Sequence, residues 1–225
     1  MPIRYKDILP WGRSFDEYTR MFNLTESELS LRILGCGDGP ASFNAECNRH
    51  GGRVTSVDPL YRFSRAAIAN RIAETYDIVM QQTGANRDKF IWNSIPSLED
   101  LGRIRMEAMQ CFLASYEDGR KQGHYIPGEL PELPFSDQTF DLALSSHFLF
   151  LYTDNLSFEF HVSAIREMLR AAHEVRIFPL LDVNARTSCY LSGILEIFRE
   201  YGPEVREVDY EFQRGGNQML VLCNL

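Results

Sequence analysis

Three glycines, Gly35, Gly37 and Gly39, stand within five residues directly behind the apolar run at 31–34, and Asp58 closes a second apolar run nineteen positions beyond the last of them. Glycine loses more freedom on ordering than any other residue, so this cluster marks a bend that needs positive φ or a backbone that something approaches closely. A bare bend leading into a helix presents N–H donors to a ligand. A carboxylate at the end of the next strand can accept from both hydroxyls of a ribose in a charge-assisted contact. Together the two features describe a nucleotide site. The plainer alternatives are a tight turn for the glycines and, for an aspartate ahead of Pro59, the start of a turn.

Such a site needs a parallel sheet to hold it. Hydrophobic period and turn residues predict a helix over 14–22, a strand at 31–34, a helix from the glycines to about Asn48, and a strand over 53–57 that closes on Asp58. From 61 to 123 the apolar spacing is helical, broken at 83–89 and at Pro96, which is more than one crossover helix requires. This predicts a helical cap inserted over 61–123. A short strand follows at 124–128, then a strand buried on both faces at 140–146, a helix at 158–172, a strand at 174–181 and a helix at 188–201. Two last strands, 204–212 and 218–225, are separated by QRGGN, which reads as a hairpin turn. The expected fold class is α/β: a doubly wound, seven-stranded, mostly parallel sheet with a C-terminal antiparallel hairpin and a helical insertion. One Rossmann-like domain over 1–225 is expected, with 1–30 as an N-terminal helical lid.

A net charge of −8 disfavours nucleic acid as a partner. The N-terminal stretch has no continuous apolar segment and no later run is long enough to span a bilayer, so no membrane partner and a cytoplasmic location are expected. Five cysteines without a C-x-x-C pair suggest neither a disulfide framework nor zinc, and His50, His124 and His173 lack ligand spacing, so no metal is expected. Oligomeric state is left open.

The dinucleotide fingerprint G-x-G-x-x-G places its third glycine on Pro40 or on Ser42, and neither matches. The spacing here is G-x-G-x-G, and ILGCGDG resembles the LDLGCGTG pattern at motif I of the class I S-adenosylmethionine-dependent methyltransferases. The resemblance covers roughly 31–181 together with the closing hairpin. It implies S-adenosyl-L-methionine as cofactor, with Gly35, Cys36, Gly37, Gly39, Asp58 and Pro59 around it. Glu129 takes the place of the acid that borders the adenine, and Leu130 that of the neighbour whose N–H faces the ring. Ser145, Ser146 and His147 fall at the carboxyl end of the fourth strand, beside the donor methyl.

The implied activity is methyl transfer to a small-molecule acceptor, and no NPPY-type tetrapeptide points to base or amide methylation. A protein that binds the donor without turning it over is the alternative. An NAD-dependent oxidoreductase, a third reading, shares the glycines and Asp58 but lacks a Tyr-x-x-x-Lys pair. His147 is the candidate general base, followed by His161 and Tyr152; the alternative for His147 is a packed residue that only shapes the pocket. One departure stands out: the family carries an acid two residues before the first glycine, where this chain has Ile33, and Arg32 has the wrong sign to replace it. Asp16 or Glu17 could supply that carboxylate from a lid that also carries Trp11, Arg13 and Tyr18. The other reading of this segment is a surface helix packed by Trp11 and Phe15.

Overall fold

The computed structural model describes residues 9–224, so the first eight residues of the expected lid lie outside the described residues. Seven strands form one sheet: β1 Arg32–Cys36, β2 Arg53–Asp58, β3 Tyr125–Pro127, β4 Phe140–Ser146, β5 Ala172–Phe178, β6 Glu204–Glu207 and β7 Gln218–Cys223. Their order is β3-β2-β1-β4-β5-β7-β6. All neighbours are parallel except β7, which runs antiparallel to both β5 and β6. The central strands β1, β4 and β5 are almost wholly buried, which is why they read as continuous apolar runs rather than alternating ones. The chain order reverses between β1 and β4, and that reversal opens a crevice beyond their carboxyl ends.

Helices cover both faces. On one, α1 Phe15–Met21 and α2 Phe43–Arg49 pack with Ile33, Leu142 and Phe178. On the other, α5 Phe158–Ala171 and α6 Leu191–Ile197 close over Leu34, Ala143 and Val175. Residues 61–123 contain two long helices, α3 Arg65–Ala85 and α4 Leu98–Lys121, whose first turns are capped by Ser64 and Ser97. The second of these packs on α2 and β3 and makes the β2-to-β3 crossover, while α3 packs outside it. An aromatic cluster of Tyr61, Phe112, Tyr116 and Tyr125 joins the pair to the sheet edge.

Two expected elements are shorter than their patterns imply. Pairing in β6 stops at Glu207, and residues 208–217 form a connection whose Val208, Tyr210 and Phe212 are buried against the α1 side of the core. An alternating pattern arises wherever an extended segment drapes over a core, with or without a ladder partner, so the strand expected over 204–212 is about half real. The turn in QRGGN is present, with Gly216 N–H donating to the Gln213 carbonyl at 2.8 Å. The helix expected over 188–201 ends at Ile197, and a short turn carries the chain to Gly202, whose φ of 56° stops it.

Candidate functional site

The glycine bend crosses the top of β1. Gly37 and Gly39 have φ of 73° and 53°, a region that other residues enter only with strain. A Cβ on Gly37 would also come within 3.0 Å of the Phe148 ring. The demand at Gly35 is different: a Cβ there would lie 1.8 Å from Asp38 Oδ2, because the Asp38 side chain folds back over the strand. Asp58 fixes the far side of the bend. Its Oδ2 accepts from Gly39 N–H at 2.8 Å and its Oδ1 from Leu60 N–H at 2.7 Å, which leaves each oxygen a second lone pair.

A cavity of about 440 Å³ opens over this bend, within the range of small-molecule sites. Of the residues expected from the sequence, Cys36, Gly37, Gly39, Asp58, Pro59, Glu129, Leu130 and His147 line it. Gly35 is buried and is not among the wall residues. Ser145 does not reach the cavity: it is fully buried and its hydroxyl has no partner among the described residues. Successive strand residues face opposite sides of a sheet, and Ser146 is the serine on the wall. Glu129 is half-exposed and paired with Arg62 at 3.0 Å.

The three groups expected near a transferred proton differ sharply. His147 has its Nδ1 2.9 Å from Ser146 Oγ and its backbone N–H on the Phe178 carbonyl. Burial, with the charges of Arg13 and Arg105, pushes its pKa well below the ordinary histidine range, so the ring is neutral. His161 is fully buried in α5 with its two ring nitrogens on the carbonyls of Ser157 and Leu149, which removes it as a candidate base. Tyr152 lies on the wall, and its hydroxyl accepts from Leu9 N–H at 3.3 Å.

The expected stand-ins for the missing acid are placed elsewhere. Asp16 is exposed on α1, and Glu17 is buried against Arg105, the Tyr210 hydroxyl at 2.7 Å and Ser14 N–H at 3.0 Å. Burial raises the Glu17 carboxyl, and Arg105 more than reverses this, holding it at about 2. Neither residue lines the cavity, but Asp38 does. Its carboxylate accepts from Tyr18 at 2.9 Å and from Ser56 at 2.5 Å, and Asn44 holds Ser56 in turn at 3.0 Å. Residues 33 and 35 share one face of β1, and the Asp38 carboxylate folds back over Gly35 on it. The signal was inside the glycine motif, where this chain has Asp38 and the family pattern has threonine.

Burial raises both Asp38 and Asp58 to about 6, against the hydrogen bonds each accepts. The other wall is apolar and aromatic, with Trp11, Leu60, Phe63, Val79 and Phe160. Trp11 belongs to a segment that crosses behind the glycine bend, where Ser42 N–H donates to the Arg13 carbonyl at 3.0 Å. A Cβ on Gly12 would lie 2.1 Å from the Pro40 carbonyl oxygen, a backbone atom with little room to move. Gly12→Ala is therefore expected to cost about 1–3 kcal/mol, read as a drop of several degrees in the Tm of the free protein; an unchanged Tm would show that the segment is not seated there.

The strand order with its one antiparallel strand, and the glycine bend at the β1 end, define a doubly wound, Rossmann-like α/β fold. Similar solved structures include an S-adenosylmethionine-dependent methyltransferase from Aquifex aeolicus, 13% identical, with a TM-score of 0.42 and coverage of 92% of this chain and 87% of that one. PH0226 protein from Pyrococcus horikoshii is 12% identical, with a TM-score of 0.45 and coverage of 87% and 82%. No family model matches the chain. The chain belongs to one family with the uncharacterised protein MJ0045 of Methanocaldococcus jannaschii, with which it is 35% identical over 221 residues, 98% of each chain. Among the described residues no helix is long and apolar enough to cross a membrane.

Proposed function

We propose that this protein is an S-adenosylmethionine-dependent methyltransferase for a small-molecule acceptor. One observation carries the reading: the carboxylates of Asp58 and Asp38 flank a positive-φ glycine bend, all on the wall of one cavity at the sheet's reversal point. In this reading Asp58 holds the ribose hydroxyls on its free lone pairs. Gly37 and Gly39 let the sulfur-bearing tail lie against main chain, and Asp38 meets the methionine ammonium that Ile33 cannot. Glu129 and Leu130 border the adenine, with Cys36 and Pro59 beside it. The bound donor supplies a methyl already activated by sulfonium charge, so the protein's part is to align the acceptor and exclude water. The segment through Trp11, within a lid over 1–30, and Phe63 and Val79, from the cap over 61–123, supply the apolar side where an acceptor fits. His147 is kept as the base for an acceptor that must shed a proton; it is in the neutral form that takes one, although burial makes it a weak base.

Calorimetric titration with S-adenosylmethionine, S-adenosylhomocysteine and NAD tests the reading. Binding of both sulfur nucleosides without NAD supports it, and NAD binding without them overturns it. Transfer of labelled methyl into a pool of small metabolites then separates turnover from binding alone.

The two aspartates also predict a pH profile. With both at about 6 in the free protein, a cationic donor meets ionised carboxylates above that value and neutral ones below it. Affinity is expected to be flat above about pH 7 and to fall below about pH 6 by up to tenfold per unit for each carboxyl. A constant Kd between about pH 5 and 8 would contradict this.

A further inference from the structure

Arg13 is the one cation on the cavity wall among the described residues. Its guanidinium is tied down by a single bond, Nη1 to the Trp11 carbonyl at 2.8 Å, and its buried Nε has no partner among the described residues. The carboxylate whose charge acts on it, Glu17, is already committed. Glu17 is taken by Arg105, Tyr210 and the Ser14 cap, and the two guanidiniums of Arg13 and Arg105 share this one acid. Asp38, on the same wall, is satisfied by Tyr18 and Ser56 and makes no ion pair with Arg13. One guanidinium thus stands without an ion pair among the described residues, at the α1 end of a cavity whose acidic wall residues, Asp38, Asp58 and Glu129, have other partners. Tyr18, Tyr210 and His147 around it are all neutral, the histidine in part because of Arg13 itself. A guanidinium whose Nε–H is buried without an acceptor is costly unless an anion completes it, and its planar fork suits a carboxylate.

We infer that Arg13 is a carboxylate-binding residue of this cavity, completed by a carboxylate that the ligand brings. The inference rests on the donor reading above and extends it to the cavity's second end. The same chemistry has two sources: the methionine carboxylate of the donor, or a carboxylate on the acceptor. The first makes Asp38 and Arg13 a matched pair for the two charges of an amino-acid tail. The second makes the acceptor an aromatic or aliphatic acid.

The experiment follows Trp11 fluorescence, or heat, as wild type, Arg13→Gln and Arg13→Lys are titrated at low salt. The probes are S-adenosylhomocysteine and 5′-methylthioadenosine, which lacks the amino-acid end. Benzoate and benzamide are then added to each protein saturated with S-adenosylhomocysteine. If the donor is the source, Arg13→Gln weakens S-adenosylhomocysteine at least tenfold, leaves methylthioadenosine within twofold, and Arg13→Lys recovers part of the loss. If the acceptor is the source, both nucleosides bind unchanged, and a preference of the wild-type complex for benzoate over benzamide disappears in Arg13→Gln.

Equal loss for both nucleosides marks a structural role and overturns the inference. So does unchanged S-adenosylhomocysteine affinity in the variant with no benzoate preference in the wild type. Should Arg13→Gln fail to fold, the charge-keeping Arg13→Lys carries the same comparison, since only an arginine that grips a carboxylate loses the amino-acid end selectively. Failure of wild type to bind either nucleoside would instead remove the donor reading.

Discussion

Asp58→Asn is expected to weaken S-adenosylhomocysteine binding on the order of a hundredfold while the free protein stays folded. On the proposed reading Asp58 makes two charge-assisted bonds to ribose, about 1.5–3 kcal/mol each, of which the asparagine would lose one and leave the other without its charge. Folding responds in the opposite direction. The Asp58 carboxyl is raised to about 6 in the folded protein, so the fold binds its proton more tightly than the unfolded chain does. Stability from this group falls as pH rises from about 4 to about 6 and stays lower above that. The asparagine removes the buried charge and offsets the one backbone acceptor it loses at Gly39 or Leu60. Calorimetry and a thermal scan at neutral pH check both halves; an unchanged affinity takes Asp58 out of the site, and a collapsed Tm makes it a structural residue.

The second large effect is on stability. Glu17→Ala leaves Arg105, fully buried in α4, without its carboxylate. Breaking a buried pair from one side costs about 3–5 kcal/mol, which for a chain of this size lowers Tm by roughly 10 °C. The double variant Glu17→Ala, Arg105→Met removes both charges and is expected to recover most of the loss. Its pH signature opposes that of Asp58: with Glu17 held at about 2 in the fold against 4.5 ordinarily, its contribution is complete above about 4.5 and drains away as pH falls toward 2. A single variant as stable as wild type would show that the pair does not anchor α1 to α4.

The sheet was legible because its central strands are buried on both faces and punctuated by glycines, and Gly37, Gly39 and Asp58 were legible because their types and spacing answer one geometric need. What escaped is what depends on where side chains go after the backbone is set. Asp38 is an ordinary turn residue by type, and only its path back over Gly35 brings it to the cavity. Glu17 has a helix-capping position that reads as exposed until Arg105, 88 residues away, is seen to meet it. Ser145 and Ser146 are indistinguishable in sequence, and the strand's alternation decides between them. Val208, Tyr210 and Phe212 carry a strand pattern outside the sheet, where the segment's far end pairs with residues 89–91 through a single antiparallel bridge of Gln213 with Phe90.

The most direct measurement is a crystal structure with S-adenosylhomocysteine bound. Density along the carboxyl ends of β1, β2 and β4, with both ribose hydroxyls on Asp58 and the amino group at Asp38, is the predicted result. Density in the separate cleft that Asp16 and Arg20 of α1 line together with Ile104 and Cys111 of α4, or an occupied cavity with the ribose turned away from Asp58, would contradict it.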